Sequence, residues 1–183
     1  PPADAPADLR RRTAALHRLA AELASAANPQ AIAFLVSTTA ARLLEADACG
    51  VFSRTDAGAL TTLHSSGWPA ATTGQFTRVE LTRGRPLSDA VLDGTPVWLE
   101  DAAQWRSRYP EMAPVGTSSG FQATACLPLH VRDRDLGAVV FSFLTPRPFR
   151  ADEREYLLAT AALCAQALDR VRLLAAEQTA RAA

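Results

Sequence analysis

The sequence predicts an α+β domain, a block of short strands bracketed by helices at both ends. Three features carry that expectation. Apolar residues recur at helical spacing from Leu9 and again from Leu157. The stretch between breaks into short apolar runs punctuated by Gly, Pro and Asp, and the two longest runs flank a charged turn. With 183 residues the chain suits one domain, since a single core grows to ~100–200 residues before a chain splits.

The elements follow in order. Residues 1–8 (PPADAPAD) read as a tether with little to bury. Leu9, Leu16, Leu19, Leu23 and Ala26 then form a narrow helical seam of the kind that meets a partner helix, weakened at one position by Arg12. Asn28-Pro29 interrupts it, because Pro starts a helix well and continues one badly, and Asn28 is placed to cap a second helix over 29–45. Ile32, Leu35, Val36, Thr39, Leu43 and Leu44 share one broad face of that helix.

Ala48 to Ser53 and Leu60 to His64 read as a hairpin turning at Asp56-Ala57-Gly58, ended by Gly67-Trp68-Pro69. Phe76 to Leu81 reads as a further short strand. Pro86 to Leu92 is a short helix with Pro at its start and Gly94 past its end. Val97 to Leu99 is a brief strand, and Asp101 caps a helix to about Arg108. Residues 110–120 form a loop. Phe121 to Val131 and Leu136 to Leu144 make the clearest hairpin, turning at residues 132–135, and their apolar character predicts a central pair covered on both faces. A last helix from Asp152 carries the seam Leu157, Ala161, Cys164, Leu168, Val171 and Ala175.

Composition removes several functions. A net charge of zero supplies no basic excess to neutralise a nucleic-acid backbone, so no nucleic-acid partner is expected. All 19 basic residues are Arg, which rules out a phosphate-loop lysine or a Schiff base within this chain. Cys49, Cys126 and Cys164 are odd in number, far apart and set in apolar runs, so neither zinc nor a disulfide framework is signalled and a reduced, cytoplasmic setting is expected. No apolar run approaches the ~20 residues that cross a bilayer, so no membrane contact is expected. Ser118 and Ser119 lack the elbow of a nucleophile, and His17, His64 and His130 have no companion at metal spacing. No catalytic residue and no metal site are expected.

From Ala46 to Phe149 the chain resembles a GAF domain, a small-molecule sensor module related in architecture to PAS domains. The stretches that carry the resemblance are AARLLEADACGVF (40–52), PLSDAVLDGTPVWLED (86–101), ACLPLHVRDRDLGAVVFSF (125–143) and PRPFRADEREYLLATAALCAQALDRVRLL (146–174). One departure is Arg150, where family members usually place a Thr or Ser cap. Asp152 or Glu153 then complements the helix dipole.

The resemblance implies an antiparallel sheet of five or six strands with the N- and C-terminal helices on one face. The middle segment would cover the other face and form a pocket. It divides the chain into a tether (1–8), a signalling and dimerisation helix (9–27), the GAF domain (28–174) and a linker helix (175–183) toward a missing output domain. Function is implied with it: a non-catalytic sensory domain of a bacterial signalling protein, upstream of a serine phosphatase or histidine kinase.

In that reading Phe52, His64, Trp68, Phe76, Trp98, Trp105, Tyr109 and Phe121 are the pocket candidates, since large aromatics with a few polar partners suit a small-ligand cavity. Equally, these aromatics serve as the private core of an irregular segment. No cofactor is required; haem on His64 is the alternative, against a plain hydrogen-bonded strand-end His. The context of Cys126 points to burial rather than to a chromophore. Leu9, Leu16, Leu19, Leu23, Leu157, Cys164, Leu168 and Val171 are the expected dimerisation residues, joining two copies into a homodimer. The other possibilities are a ligand-free dimerising module, a redox or haem sensor using His64 or a cysteine, and packing of these helices on the chain's own sheet.

Overall fold

The computed structural model describes residues 5–69, 74, 76–112, 114 and 118–182. Six strands are found among them: β1 (Ala48–Arg54), β2 (Leu60–Ser66), β3 (Arg78–Val79), β4 (Val97–Leu99), β5 (Ala123–Val131) and β6 (Arg134–Phe143). All pair antiparallel, in the order β3-β2-β1-β6-β5-β4. The helices are α1 (Ala5–Ser25), α2 (Pro29–Leu44), α3 (Pro86–Asp93), α4 (Ala102–Arg108) and α5 (Ala151–Ala182).

Alternation along the central strands sorts the core into two layers, because successive strand side chains point to opposite faces. Cys49, Val51, Ala123, Ala125, Leu127, Val139, Phe141 and Phe143 pack under α1, α2 and α5. Phe52, Cys126, Ala138 and Val140 stand on the other face with Leu87, Ala90 and Val91 of α3 and with Tyr109, which closes α4. Covering both faces of β5 and β6 is why these strands read as unbroken apolar runs.

The expected helix stops and starts are present. Asn28 caps α2 by accepting the Ala31 amide at 2.9 Å, with Pro29 behind it. Asp101 accepts the Gln104 amide at 2.8 Å, and Gly94 closes α3 at φ 62. At α5, where the resemblance predicted a missing hydroxyl cap, the Arg150 carbonyl accepts the amides of Glu153 and Arg154. Glu153 is buried there against the Arg147 guanidinium.

Several expectations change. The tether over 1–8 is helical from Ala5 onward; residues 1–4 lie outside the described residues, as do 113 and 115–117 of the expected loop and Ala183 of the expected linker. The strand expected over Phe76–Leu81 contracts to Arg78–Val79. The turn of the long hairpin tightens to Arg132-Asp133, with Arg132 at φ 53.

The two seams are the largest correction. Leu19, Leu23, Leu157, Cys164, Leu168 and Val171, expected to meet a second subunit, are all buried within one chain. The stripes are narrow because α1, α2 and α5 divide one sheet face between them. Each such leucine contributes ~1.5–3 kcal/mol when fully buried, gained here without a partner. Arg12 does not weaken the seam, since it reaches Asp152 at the start of α5. Of the expected dimerisation residues Leu16 is partly buried, and Leu9 stays 63% exposed.

Candidate functional site

The face of the sheet opposite the terminal helices holds a cavity of about 100 Å³. Its floor is the sheet: Phe52 from β1, Thr124 and Cys126 from β5, and Val140 and Ser142 from β6. Arg85, Pro86, Leu87 and Ser88 bring the start of α3 to one wall; Trp105, Met112, Ser119 and Phe121 form another, with Trp68, Phe76 and Val79 beyond β2.

Backbone detail sets the aromatic wall. Gly67 turns the chain at φ 81, so close to the Asp47 carbonyl that a Cβ would stand 2.0 Å from its oxygen. Trp68 is thereby folded back across β1, where a Cβ on Gly50 would lie 2.4 Å from the indole. Gly50 is therefore the space that Trp68 occupies. Trp68 then packs against Phe52 at 6.5 Å and Phe76 at 6.2 Å between ring centroids.

The polar groups of the cavity divide into satisfied and unsatisfied. The hydroxyls of Thr124 and Ser142 meet across β5 and β6 at 3.2 Å. By contrast, Ser88 Oγ and Trp105 Nε1 are buried without a hydrogen-bond partner. An unpaired buried donor costs about 1–3 kcal/mol, so these atoms mark places where an incoming group would be rewarded. Cys126 shares the floor, but burial pushes its thiol up to about 12, which keeps it protonated at neutral pH.

Of the eight aromatic and histidine candidates, Phe52, Trp68, Phe76, Trp105 and Phe121 line the cavity together. Tyr109 is buried in the same layer but stands behind the wall; burial, then the neighbouring Asp89 carboxylate, raises its hydroxyl pKa. Trp98 is on the opposite face, 5.2 Å from Phe149 and covered by the Arg154 guanidinium. Its strand neighbours Val97 and Leu99 face the cavity layer, and alternation sends Trp98 the other way.

His64 is misplaced by a subtler cause. Regular alternation from Leu60 and Thr62 would aim it at the cavity. A bulge intervenes: Phe52 pairs with Thr62 and Val51 with His64, leaving Leu63 extra. The slip turns His64 to the helix side, where Nδ1 lies 2.8 Å from Ser37 Oγ and the ring meets Phe34 edge-on at 5.3 Å. A haem seated in the cavity would therefore find no axial ligand in His64. Among the described residues no group of three or more His, Cys, Asp or Glu gathers as a metal site.

Sequence comparison agrees with this architecture. Residues 26–169 match the family model described as a GAF domain. The chain belongs to the GAF-domain family. No curated protein matches the sequence. Solved GAF structures share its fold at low identity. The GAF domain of a phosphoenolpyruvate-protein phosphotransferase from Coxiella burnetii superposes with a TM-score of 0.76 at 21% identity, covering 92% of this chain and 98% of that one. The corresponding domain from Acinetobacter gives 0.73 at 15%, covering 90% and 97%. Free methionine-R-sulfoxide reductase from Neisseria meningitidis, solved with its substrate, gives 0.73 at 15%, covering 91% and 93%. The GAF fold is a sensory and regulatory one, and among the described residues no helix is long and apolar enough to cross a membrane.

Sequence reasoning missed Arg85, Ser88, Met112, Ser119, Thr124 and Ser142 as cavity residues of this GAF domain, and assigned Cys126 to burial alone. A signal for two of them was present. A hydroxyl residue in an otherwise apolar strand needs a reason, and Thr124 and Ser142 interrupt β5 and β6 at positions that face each other.

Proposed function

We propose that this GAF domain is a non-catalytic sensor that takes a small ligand into the cavity and passes its bound state to an attached output domain. The observation that carries the reading is the cavity itself, with its mostly apolar lining, its aromatic wall and two buried polar atoms awaiting a partner. A regulatory role is favoured over chemistry because the three thiols are buried and held protonated, with burial pushing Cys126 and Cys164 up to about 12 and raising Cys49 well above the ordinary range.

A route from ligand to output follows from the two-sided strands. Cys126 and Val140 face the cavity, while their immediate neighbours Ala125, Leu127, Val139 and Phe141 support α5 and the terminal helices. A ligand that prefers one placement of β5 and β6 thus prefers one placement of α5, which is what a signal requires. In this reading the domain works in a cytoplasmic bacterial protein, as a homodimer whose output is a serine phosphatase or histidine kinase. Its copies would meet through the exposed parts of the end helices, such as Leu9, Leu173 and Leu174, because the seam leucines are already committed.

The test is a thermal-shift screen of the chain against a small-metabolite panel, run beside a variant with the floor filled by Val140→Trp. A ligand that raises Tm for the parent and not for the folded variant supports the reading. Ligands that act equally on both, or none that act on the parent, would overturn it in favour of a ligand-free dimerising module.

A further inference from the structure

The cap residue Arg85 and the first three residues of α3, Pro86 through Ser88, all line the cavity. An α-helix leaves the amides of its first turn without internal acceptors and carries partial positive charge there. At α3 the cap residue is Arg85, which supplies no side-chain acceptor, and Pro86 at the first helical position has no N–H to offer. The amides of Leu87 and Ser88 are the donors left at that end. Ser88 adds a second, independent mark: it is fully buried in the cavity wall and its hydroxyl has no partner. Across the cavity Trp105 Nε1 is a further buried donor without an acceptor.

Charge points the same way. Arg83 next to this turn pairs with Asp93 and Asp89, whereas Arg85 makes no ion pair among the described residues and is exposed at the cavity rim. The nearby Asp89 carboxylate is already engaged: it accepts the Gly84 amide at 3.2 Å and lies 3.9 Å from the Arg83 guanidinium. Donors therefore outnumber acceptors at one end of a cavity whose other lining includes Phe52, Trp68, Phe76 and Met112, with the Thr124 and Ser142 hydroxyls on the floor paired to each other.

We propose that the cavity selects a small monocarboxylate with an apolar or aromatic body: its carboxylate meets Ser88 and the amides at the start of α3 under the Arg85 guanidinium, and its body lies against the aromatic wall. This rests on the sensor reading and names the chemistry of its ligand. The size is limiting. A cavity of about 100 Å³ is smaller than the ~150 Å³ that holds benzene in an engineered core, so the body is one ring at most, part of it left at the rim with the carboxylate head.

The experiment titrates the chain with benzoate, toluene and benzylamine, three single-ring probes that differ in charge, followed by calorimetry and by the fluorescence of the wall tryptophans. Benzoate is expected to bind about tenfold or more tightly than toluene, and Arg85→Gln and Ser88→Ala are each expected to weaken benzoate by about tenfold while leaving toluene unchanged. Toluene or benzylamine binding as well as benzoate, or benzoate binding that survives both substitutions, overturns the carboxylate proposal and leaves the cavity as a sensor site. If no probe binds and the metabolite screen is also silent, both readings fall together.

Discussion

The guanidinium of Arg170 in α5 donates to the Leu23 carbonyl oxygen at 3.0 Å, and to that of Ala26 at 2.9 Å. Leu23 lies in the last turn of α1 and Ala26 just follows its end, where a helix runs short of internal donors and carries partial negative charge; the Leu23 carbonyl also accepts the Ala26 amide at 3.2 Å. One side chain thus fastens the first helix of the domain to the last, across 147 positions of sequence. Arg170→Gln is expected to lower stability by about 1–3 kcal/mol, measured as a fall in the urea midpoint with an unchanged slope. An unaltered midpoint would show that the clasp contributes nothing net.

Leu19 and Leu168 sit on facing helices inside the chain, 0% and 7% exposed. Leu19→Ala is expected to cost ~2–5 kcal/mol through lost burial and the cavity left behind. Leu168→Glu is expected to unfold the domain, because a carboxylate there would be buried without a partner. Circular dichroism with light scattering checks both. A folded Leu168→Glu chain that had lost only its dimeric state would return the seam to an intersubunit role.

Gly50 is required by the indole of Trp68 rather than by the strand. Gly50→Val is expected to displace Trp68 from the cavity wall, costing about 1–3 kcal/mol and shifting tryptophan emission to the red. Emission at the parent wavelength from a folded variant would mean that the sheet, not the ring, had moved.

The buried thiols predict an alkaline limit to stability. Burial raises Cys126 and Cys164 from an ordinary 9.0 to about 12 and raises Cys49 too, with Cys164 as its lesser cause. The folded chain therefore keeps protons that the unfolded chain releases, so the stabilisation is complete below pH 9 and declines as pH rises from there toward 12. Between about pH 8 and pH 10.5 the urea midpoint should fall, and fall less steeply when all three cysteines are replaced by alanine. Parallel slopes for the two proteins would remove the thiols as the cause.

Much of the fold was legible because its signals are local. Asn28, Asp101 and Gly94 announce helix ends through their own backbone needs, and the long hairpin shows in two apolar runs around charged residues. What alternation alone decides was also available: Trp98 between Val97 and Leu99 belongs to the face those two avoid. His64 was not recoverable, since one extra residue at Leu63 reverses the face and nothing in the local sequence announces a bulge. The seams failed for another reason. A narrow leucine stripe records how much of a helix is covered and is silent about whether the cover comes from the same chain, as it does for Leu157 and Leu168. The start of α3 was read correctly as a helix, yet its importance to the cavity depends on which hydroxyl finds no acceptor, and that is decided only by packing.

In β1, β5 and the latter half of β6, odd-numbered side chains such as Val51, Leu127 and Val139 hold the helices, and even-numbered ones such as Phe52, Cys126 and Val140 shape the cavity. Mutation can thus explore new chemical preferences on one set of positions while the scaffold's mechanical attachments are inherited intact on the other. On the proposed sensor reading, descendants of such a chain are free to diverge in what they recognise long before they diverge in how they respond.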